Sequence, residues 1–232
     1  MKRLLAAVAF LTRFPIRTAF TTEDVGRAAL FFPLVGAGIG LVQLGVWTFA
    51  GQHLTGWLTA TLVVASSAWL TRALHLDGLA DFVDGLGGGR TRDDVLRIMK
   101  DSRIGAFGAI ALVLGLCTKI AAVEGLGSAE ALIVAPALSR WTPVALGYAL
   151  PYARPGASAP AGHVGQFELV GATVIAAGLV ALVGQWMLAG VVVIVSGVVG
   201  LIAMRRIGGV TGDVLGANIE LAETAALVVA TL

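Results

Sequence analysis

HLDGLADFVDGLGGGRTRDDVLRIMKDSRIG, residues 75–105, is an island of charge in an apolar chain, and the runs on either side of it define the architecture. It holds six of the fourteen acidic residues in a sequence of 232 that is 57% hydrophobic and 13% charged, with a mean hydropathy of +0.90. Soluble domains carry about 25% charged residues. A bilayer core about 30 Å thick takes roughly 20 apolar residues per helical span. Stretches of that kind are residues 28–49, 54–74, 105–123, 129–150, 167–183 and 187–204, with a last one from about 219 to the C-terminus. The expected class is all-α, a polytopic integral membrane bundle of six or seven transmembrane helices with short interfacial helices, forming one domain over residues 1–232.

Fourteen of the sixteen Lys and Arg residues fall in four places: residues 1–27, 72–103, Arg154, and the pair Arg205 and Arg206. The alternate loops near Gln52, Glu124 and Gln185 have none. By the positive-inside rule the N-terminus and the loops at 75–104, 151–166 and 205–217 are cytoplasmic, so every charged motif faces one compartment. Seven spans would put the C-terminus outside and six would put it inside. The net charge of +2 is too small to argue for a nucleic-acid partner. One cysteine, Cys117, excludes an intrachain disulfide and a multi-cysteine metal site. Lys2 and Arg3 precede an apolar run as in a signal peptide, but Arg13 interrupts it without a small-residue cleavage site. Residues 1–27 are expected instead to hold a short amphipathic helix at the cytoplasmic interface, ended by Pro15.

Within the island, Asp77, Asp81 and Asp84 are spaced i, i+4, i+7 and share one helix stripe. Like charges so placed are tolerable around a hard divalent cation such as Mg2+, which takes carboxylate oxygens. The second apolar span is expected to continue into this stripe without a break. Gly85, Gly87, Gly88 and Gly89 are then expected to end the helix in an amide-rich turn open to anions. Arg90, Arg92, Arg97, Lys100 and Arg103 follow as cations for phosphate. Thr91 reads as an N-cap with Asp93 and Asp94 in the first turn of a short helix lying flat on the membrane. Carboxylates for a metal beside cations for phosphate suggest transfer from a phosphate-activated donor to an acceptor hydroxyl. Asp101 and Asp84 are the candidates for the carboxylate that takes the proton.

Lys119 and Arg140 fall inside apolar spans, where an unpaired charge costs roughly 2.5–3.5 kcal/mol, so both should face the bundle interior. A second polar cluster, residues 205–223, sets Asp213 and Glu220 seven apart with Glu223 three further on. His163, in a loop rich in Pro, Gly and Ala, reads as a surface residue. Asp81-x-x-Asp84-Gly85 is similar to the CDP-alcohol phosphotransferase signature, but Gly89 stands where that pattern has alanine and the later glycine-aspartate spacing differs.

A longer set of blocks resembles the adenosylcobinamide-GDP ribazoletransferase family, also called cobalamin synthase. The blocks are FLTRFP from Phe10, FPLVG from Phe32, HLDGLADFVDGLGGG from His75, IMKDSRIGAFG from Ile98, SR at Ser139 and Arg140, and GGVTGDVLGANIE from Gly208. The resemblance implies a Mg2+-dependent, multi-pass enzyme of a prokaryotic inner membrane, its active site facing the cytoplasm. It would join adenosylcobinamide-GDP to α-ribazole or its 5′-phosphate, giving adenosylcobalamin or its 5′-phosphate and GMP. On the matched blocks, Asp77, Asp81, Asp84, Asp213 and Glu220 are metal candidates. Arg13, His75, Gly87, Gly88, Arg97, Lys100, Arg103, Arg140, Asn218 and Glu223 are substrate-binding candidates. Partners would be the two substrates and the lipid bilayer, with a homo-oligomer or association with other cobalamin-pathway enzymes left open. The rival readings are a cation transporter, against which no inverted repeat is visible, and a membrane scaffold, which leaves the aspartate stripe unexplained.

Overall fold

The computed structural model describes residues 1–154 and 159–232, and their regular structure is helical. Helix α1 (Lys2–Leu11) comes first, then α2 (Thr22–Ala28), which runs through a 3-10 turn into α3 (Phe32–Ala50). Next are α4 (Gly56–Leu70), α5 (Leu74–Gly88), α6 (Arg92–Ile98), α7 (Ala106–Glu124) and α8 (Ala131–Ala149). The last three are α9 (Gln166–Val183), α10 (Trp186–Ile207) and α11 (Gly212–Val229). Thr22–Ala50, Ala106–Glu124, Gln166–Val183 and Trp186–Ile207 are long and apolar enough to cross a membrane, while α4 is apolar but shorter. The chain is an all-α membrane bundle. Its centre is α8, packed on α3, α9, α10 and α11, with α11 also against α5 and α7.

Small residues set the α3–α8 seam. A Cβ on Gly36 would collide with the Pro136 carbonyl, and one on Gly40 with that of Leu132. The two backbones therefore touch, as small-residue stripes in membrane helices allow. Gly38 and Gly45 of the same helix have nothing within 4 Å of where a Cβ would stand and take no part in the seam.

Several local expectations need correction. The second span does not continue into the aspartate stripe. Arg72 and Ala73 both take left-handed backbone angles (φ 55°) and separate α4 from α5. That conformation is costly for residues with a Cβ. It is stabilised here by the Arg72 guanidinium, which donates to the carbonyls of Ala9 (3.3 Å) and Thr12 (3.0 Å) at the end of α1. The glycine run does end the helix, with Gly89 as its cap, but its first members remain helical. The helix runs to Gly88, because Gly85 packs against Met99 and Val95, and Gly87 against the Phe107 ring. Thr91 caps α6 through a reciprocal pair with Asp94, as the pattern implied. The apolar side of α6 is spent on the protein itself: Val95 and Met99 are buried in the cluster that holds Phe82 and Ile207.

The charged loops gather at one end of the bundle. Arg92 donates from Nε to the Ile207 carbonyl (2.8 Å) and from Nη2 to that of Ala153 (2.6 Å). Arg206 donates to the carbonyls of Gly89 (2.8 Å) and Leu86 (3.2 Å). Arg92 thus caps the open end of α10 and Arg206 that of α5. Residues 151–154, expected to be part of an unstructured connector, pair with the α10–α11 turn: Ala153 N–H donates to the Val210 carbonyl (2.8 Å) and Val210 N–H to that of Pro151 (2.9 Å). Gly209 permits this close approach with φ 156°. Positions 155–158 of that connector lie outside the described residues. At the other end, Gly56 lies beside Glu124, Gln185 donates to Ser128 (3.4 Å), and Gly127 N–H donates to the Ala230 carbonyl (3.4 Å). The C-terminus therefore sits among the loops that lack basic residues.

Candidate active site

Helices α5 and α11 cross at the closest approach near the charged end. A Cβ on Gly78 would stand 2.8 Å from the Asp213 carbonyl oxygen and 3.2 Å from Gly216 Cα, while Gly216 packs on His75 and Leu74. Higher numbers on one helix meet lower numbers on the other, so the two run antiparallel. This contact brings Asp77 and Asp81 of the first polar cluster beside Asp213 of the second.

Two cavities open on these carboxylates. The first, about 290 Å³, lies between α5, α11 and the α1–α2 segment, with Phe10, Phe32, Leu74, Pro143 and Ile219 in its walls and Asp77 and Asp213 as its acidic groups. The second, about 530 Å³, is lined by Arg72, Asp77, Asp81, Ser102, Ile104 and Leu112 among others. Asp77 belongs to both.

Burial, and then the charges of Asp77, Asp213 and Asp84, push the Asp81 carboxyl up to about 6 from 3.8, with Arg154 opposing. Arg154 Nη2 donates to Asp213 Oδ2 at 2.9 Å, an ion pair only about one-fifth exposed on either side. The sequence singled out Arg154 only for topology. Its position as the lone cation of a loop otherwise without charge was the available signal. Because Asp81 binds its proton more tightly folded than unfolded, its ionised form opposes folding fully above about pH 6, and the effect fades as pH falls toward 3.8. Asp81→Asn is therefore expected to melt above wild type at neutral pH in chelator, the gap closing on acidification. Thermal denaturation in one detergent across that window checks it.

Asp84 has both oxygens engaged, accepting from Gly105 N–H (2.7 Å) and Gly108 N–H (2.8 Å) at the start of α7. A Cβ at either glycine would collide with that carboxylate. Asp101 is clamped by Arg103, whose Nε and Nη2 donate to it at 3.0 and 2.7 Å, and is held down to about 2. So weak a base is poorly suited to taking a proton near neutral pH.

Deeper in the bundle lies a second, charge-balanced cluster. Lys119 pairs with Glu220 and, at 3.2 Å, with Glu223; Arg140 pairs with Glu223 and contacts His75 Nδ1 at 3.3 Å. All five are under 8% exposed. Arg140 can only donate, so His75 Nδ1 accepts and its hydrogen is on Nε2. The structure thus places Glu220, expected beside the metal candidates, against Lys119, and the two intramembrane cations face inward as expected. Asn218 is buried and donates to Ser196 (3.2 Å).

The remaining candidates lie elsewhere. Arg13 covers the Trp69 ring at 4.0 Å. Arg97 pairs with Asp94 on the exposed face of α6, and Lys100 is exposed beyond it. Gly87 and Gly88 close the last turn of α5. Among the described residues no group of three His, Cys, Asp or Glu side chains converges at metal-ligand spacing.

A membrane-embedded helical protein with two chambers meeting at an acidic cluster is the class that this geometry defines. The chain belongs to the cobalamin-5-phosphate synthase family, whose sequence pattern matches residues 3–231. Among similar proteins, the adenosylcobinamide-GDP ribazoletransferase of Pseudomonas paraeruginosa (strain DSM 24068 / PA7) is 39% identical over 245 aligned positions, covering 100% of this chain and 98% of that one. The enzyme of the same name from Syntrophobacter fumaroxidans is 38% identical, covering 94% and 93%. That from Pelodictyon phaeoclathratiforme is 42% identical over 65% of this chain and 60% of its own length. No solved structure matches the chain.

Proposed function

We propose that this chain moves the adenosylcobinamide phosphate of adenosylcobinamide-GDP onto a hydroxyl of α-ribazole or its 5′-phosphate, releasing GMP, at the carboxylates where the two cavities meet. Family membership makes it a transferase of the last stage of cobalamin assembly. The observation that carries the site is Asp77, which lines both cavities and so stands where two bound substrates would touch.

The donor chemistry here suits a hard divalent cation: Asp77 and Asp213 offer oxygen ligands, and the acidic cluster around Asp81 is only partly offset by Arg154. Mg2+ is commonly held by one or two carboxylates plus substrate phosphates, without a full protein cage. A pair of aspartates rather than a convergent triad is consistent with that mode. Once bound, Mg2+ would neutralise charge on the donor phosphates and favour departure of GMP. Asp81 takes the proton of the attacking hydroxyl, since burial and the neighbouring carboxylates raise it to about 6, close to neutral pH. Asp84 acts through position, fixing α5 to the start of α7. The basic residues gathered at the site's end of the bundle support a cytoplasmic active site in a prokaryotic inner membrane.

The test is release of GMP from adenosylcobinamide-GDP by the purified protein in detergent. Release should require both ribazole and Mg2+ and stop in EDTA. Equal release with chelator present would remove the metal from this scheme, and no release under any condition would remove the scheme.

A further inference from the structure

The smaller cavity has a composition that sorts the two substrates. Among the described residues no Lys or Arg lines it, and Arg154, which pairs with its Asp213, is already committed to that carboxylate, whereas a nucleoside diphosphate needs cations or open amides. At about 290 Å³ it is at the lower edge of the roughly 300–1,000 Å³ usual for small-molecule sites, too small for a corrinoid. Its walls are apolar and include Phe10 and Phe32, stacked with centroids 5.8 Å apart and 14° between planes. Flat aromatic guests pack well against such rings. Its acidic groups are Asp77, which it shares with the larger cavity, and Asp213. The larger cavity has Arg72 in its wall, with Arg103 next to lining residues Ser102 and Ile104.

We propose that the smaller cavity is the acceptor pocket, holding the flat heteroaromatic base of the ribazole between α2 and α11, with its sugar hydroxyls turned toward Asp77 and Asp213. This rests on the transfer reaction proposed above. The donor phosphates then approach from the larger cavity, and the attacking oxygen forms its bond to phosphorus beside Asp77 while the bond to GMP breaks and the hydroxyl proton passes to Asp81. Val25 becomes a specificity-determining residue. It lies on the wall of the pocket supplied by α2, and it is buried. A larger side chain there shortens the space for the base without adding or removing a charge.

The experiment compares wild type and Val25→Phe in detergent, with α-ribazole and with the riboside of unmethylated benzimidazole as acceptors. Val25→Phe should raise the acceptor KM for α-ribazole at least roughly tenfold, since one or two displaced methyl-sized groups in a tight pocket have about that effect. It should leave the KM for adenosylcobinamide-GDP within about twofold of wild type, and the smaller riboside should lose much less than α-ribazole. Ala161→Leu, which enlarges a different lining residue of the same cavity, should give the same pattern, and titration calorimetry of α-ribazole without donor should show the same weakening. An acceptor KM unmoved in both variants, or acceptor and donor KM rising together, would overturn the assignment while GMP release by wild type leaves the reaction standing. Absence of GMP release from wild type would instead remove the reaction itself.

Discussion

Asp77→Asn is expected to lower turnover by roughly three orders of magnitude, while the protein inserts and folds as before. The amide keeps the shape of the side chain but removes a charged oxygen ligand at the carboxylate that, among the described residues, lines both cavities. A metal's charge stabilisation is worth several kcal/mol, and each 1.36 kcal/mol is about tenfold in rate. No compensating charge is created, and relief of repulsion with Asp81 and Asp213 favours the fold. The effect should fall on kcat and shrink in part when Mg2+ is raised, because the cluster retains Asp213. Arg103→Ala and Lys100→Ala should act differently. Both side chains are exposed, so their contribution is to donor encounter and binding and appears in KM. Steady-state kinetics across a Mg2+ titration, with melting temperature taken in the same detergent, separates these cases. Near-normal turnover of Asp77→Asn at low Mg2+ would remove the aspartates from the metal assignment.

Glu223→Ala is expected to cost about 3–5 kcal/mol of stability, the usual consequence of removing one member of a buried ion pair. Glu223 sits between Arg140 and Lys119, accepts from Ser139 at 3.2 Å and is 1% exposed. Its loss leaves two buried cations facing Glu220 alone. For a chain of this length that corresponds to a fall of roughly 10 °C in melting temperature. The double variant Arg140→Met with Glu223→Leu removes opposite charges together and should recover much of the loss, as apolar replacements of buried pairs often do. A melting temperature for Glu223→Ala within about 1 °C of wild type, at the resolution such shifts allow, would mean that the cluster is hydrated and not a structural pair.

The parts of this protein legible in the amino-acid order are those set by local composition. Apolar runs of about twenty residues gave the helices, and the confinement of Lys and Arg to alternate loops gave the two ends of the bundle, because insertion responds to hydrophobicity and charge within a few residues. The i, i+4, i+7 stripe was correct as helix geometry. Thr91 with Asp94 was legible for the same reason, since a capping box closes within four residues. Partnership among the charges was not legible, because it depends on how each helix is rotated and where it is crossed. Gly78 lets α11 approach α5, and that contact turns Asp213 toward Asp77 and Asp81. Gly105 and Gly108 leave room for Asp84 at the start of α7, so the third aspartate of the stripe is drawn off to backbone amides. Glu220, one of the acids in the second cluster, lies two turns further along α11 than Asp213 and meets Lys119 from α7. The break at Arg72 and Ala73 has no local signal, because what stabilises it is a pair of carbonyls about sixty residues earlier, at the end of α1. Desolvation makes each such charge take a partner, but the partner is whichever group the packing brings within reach.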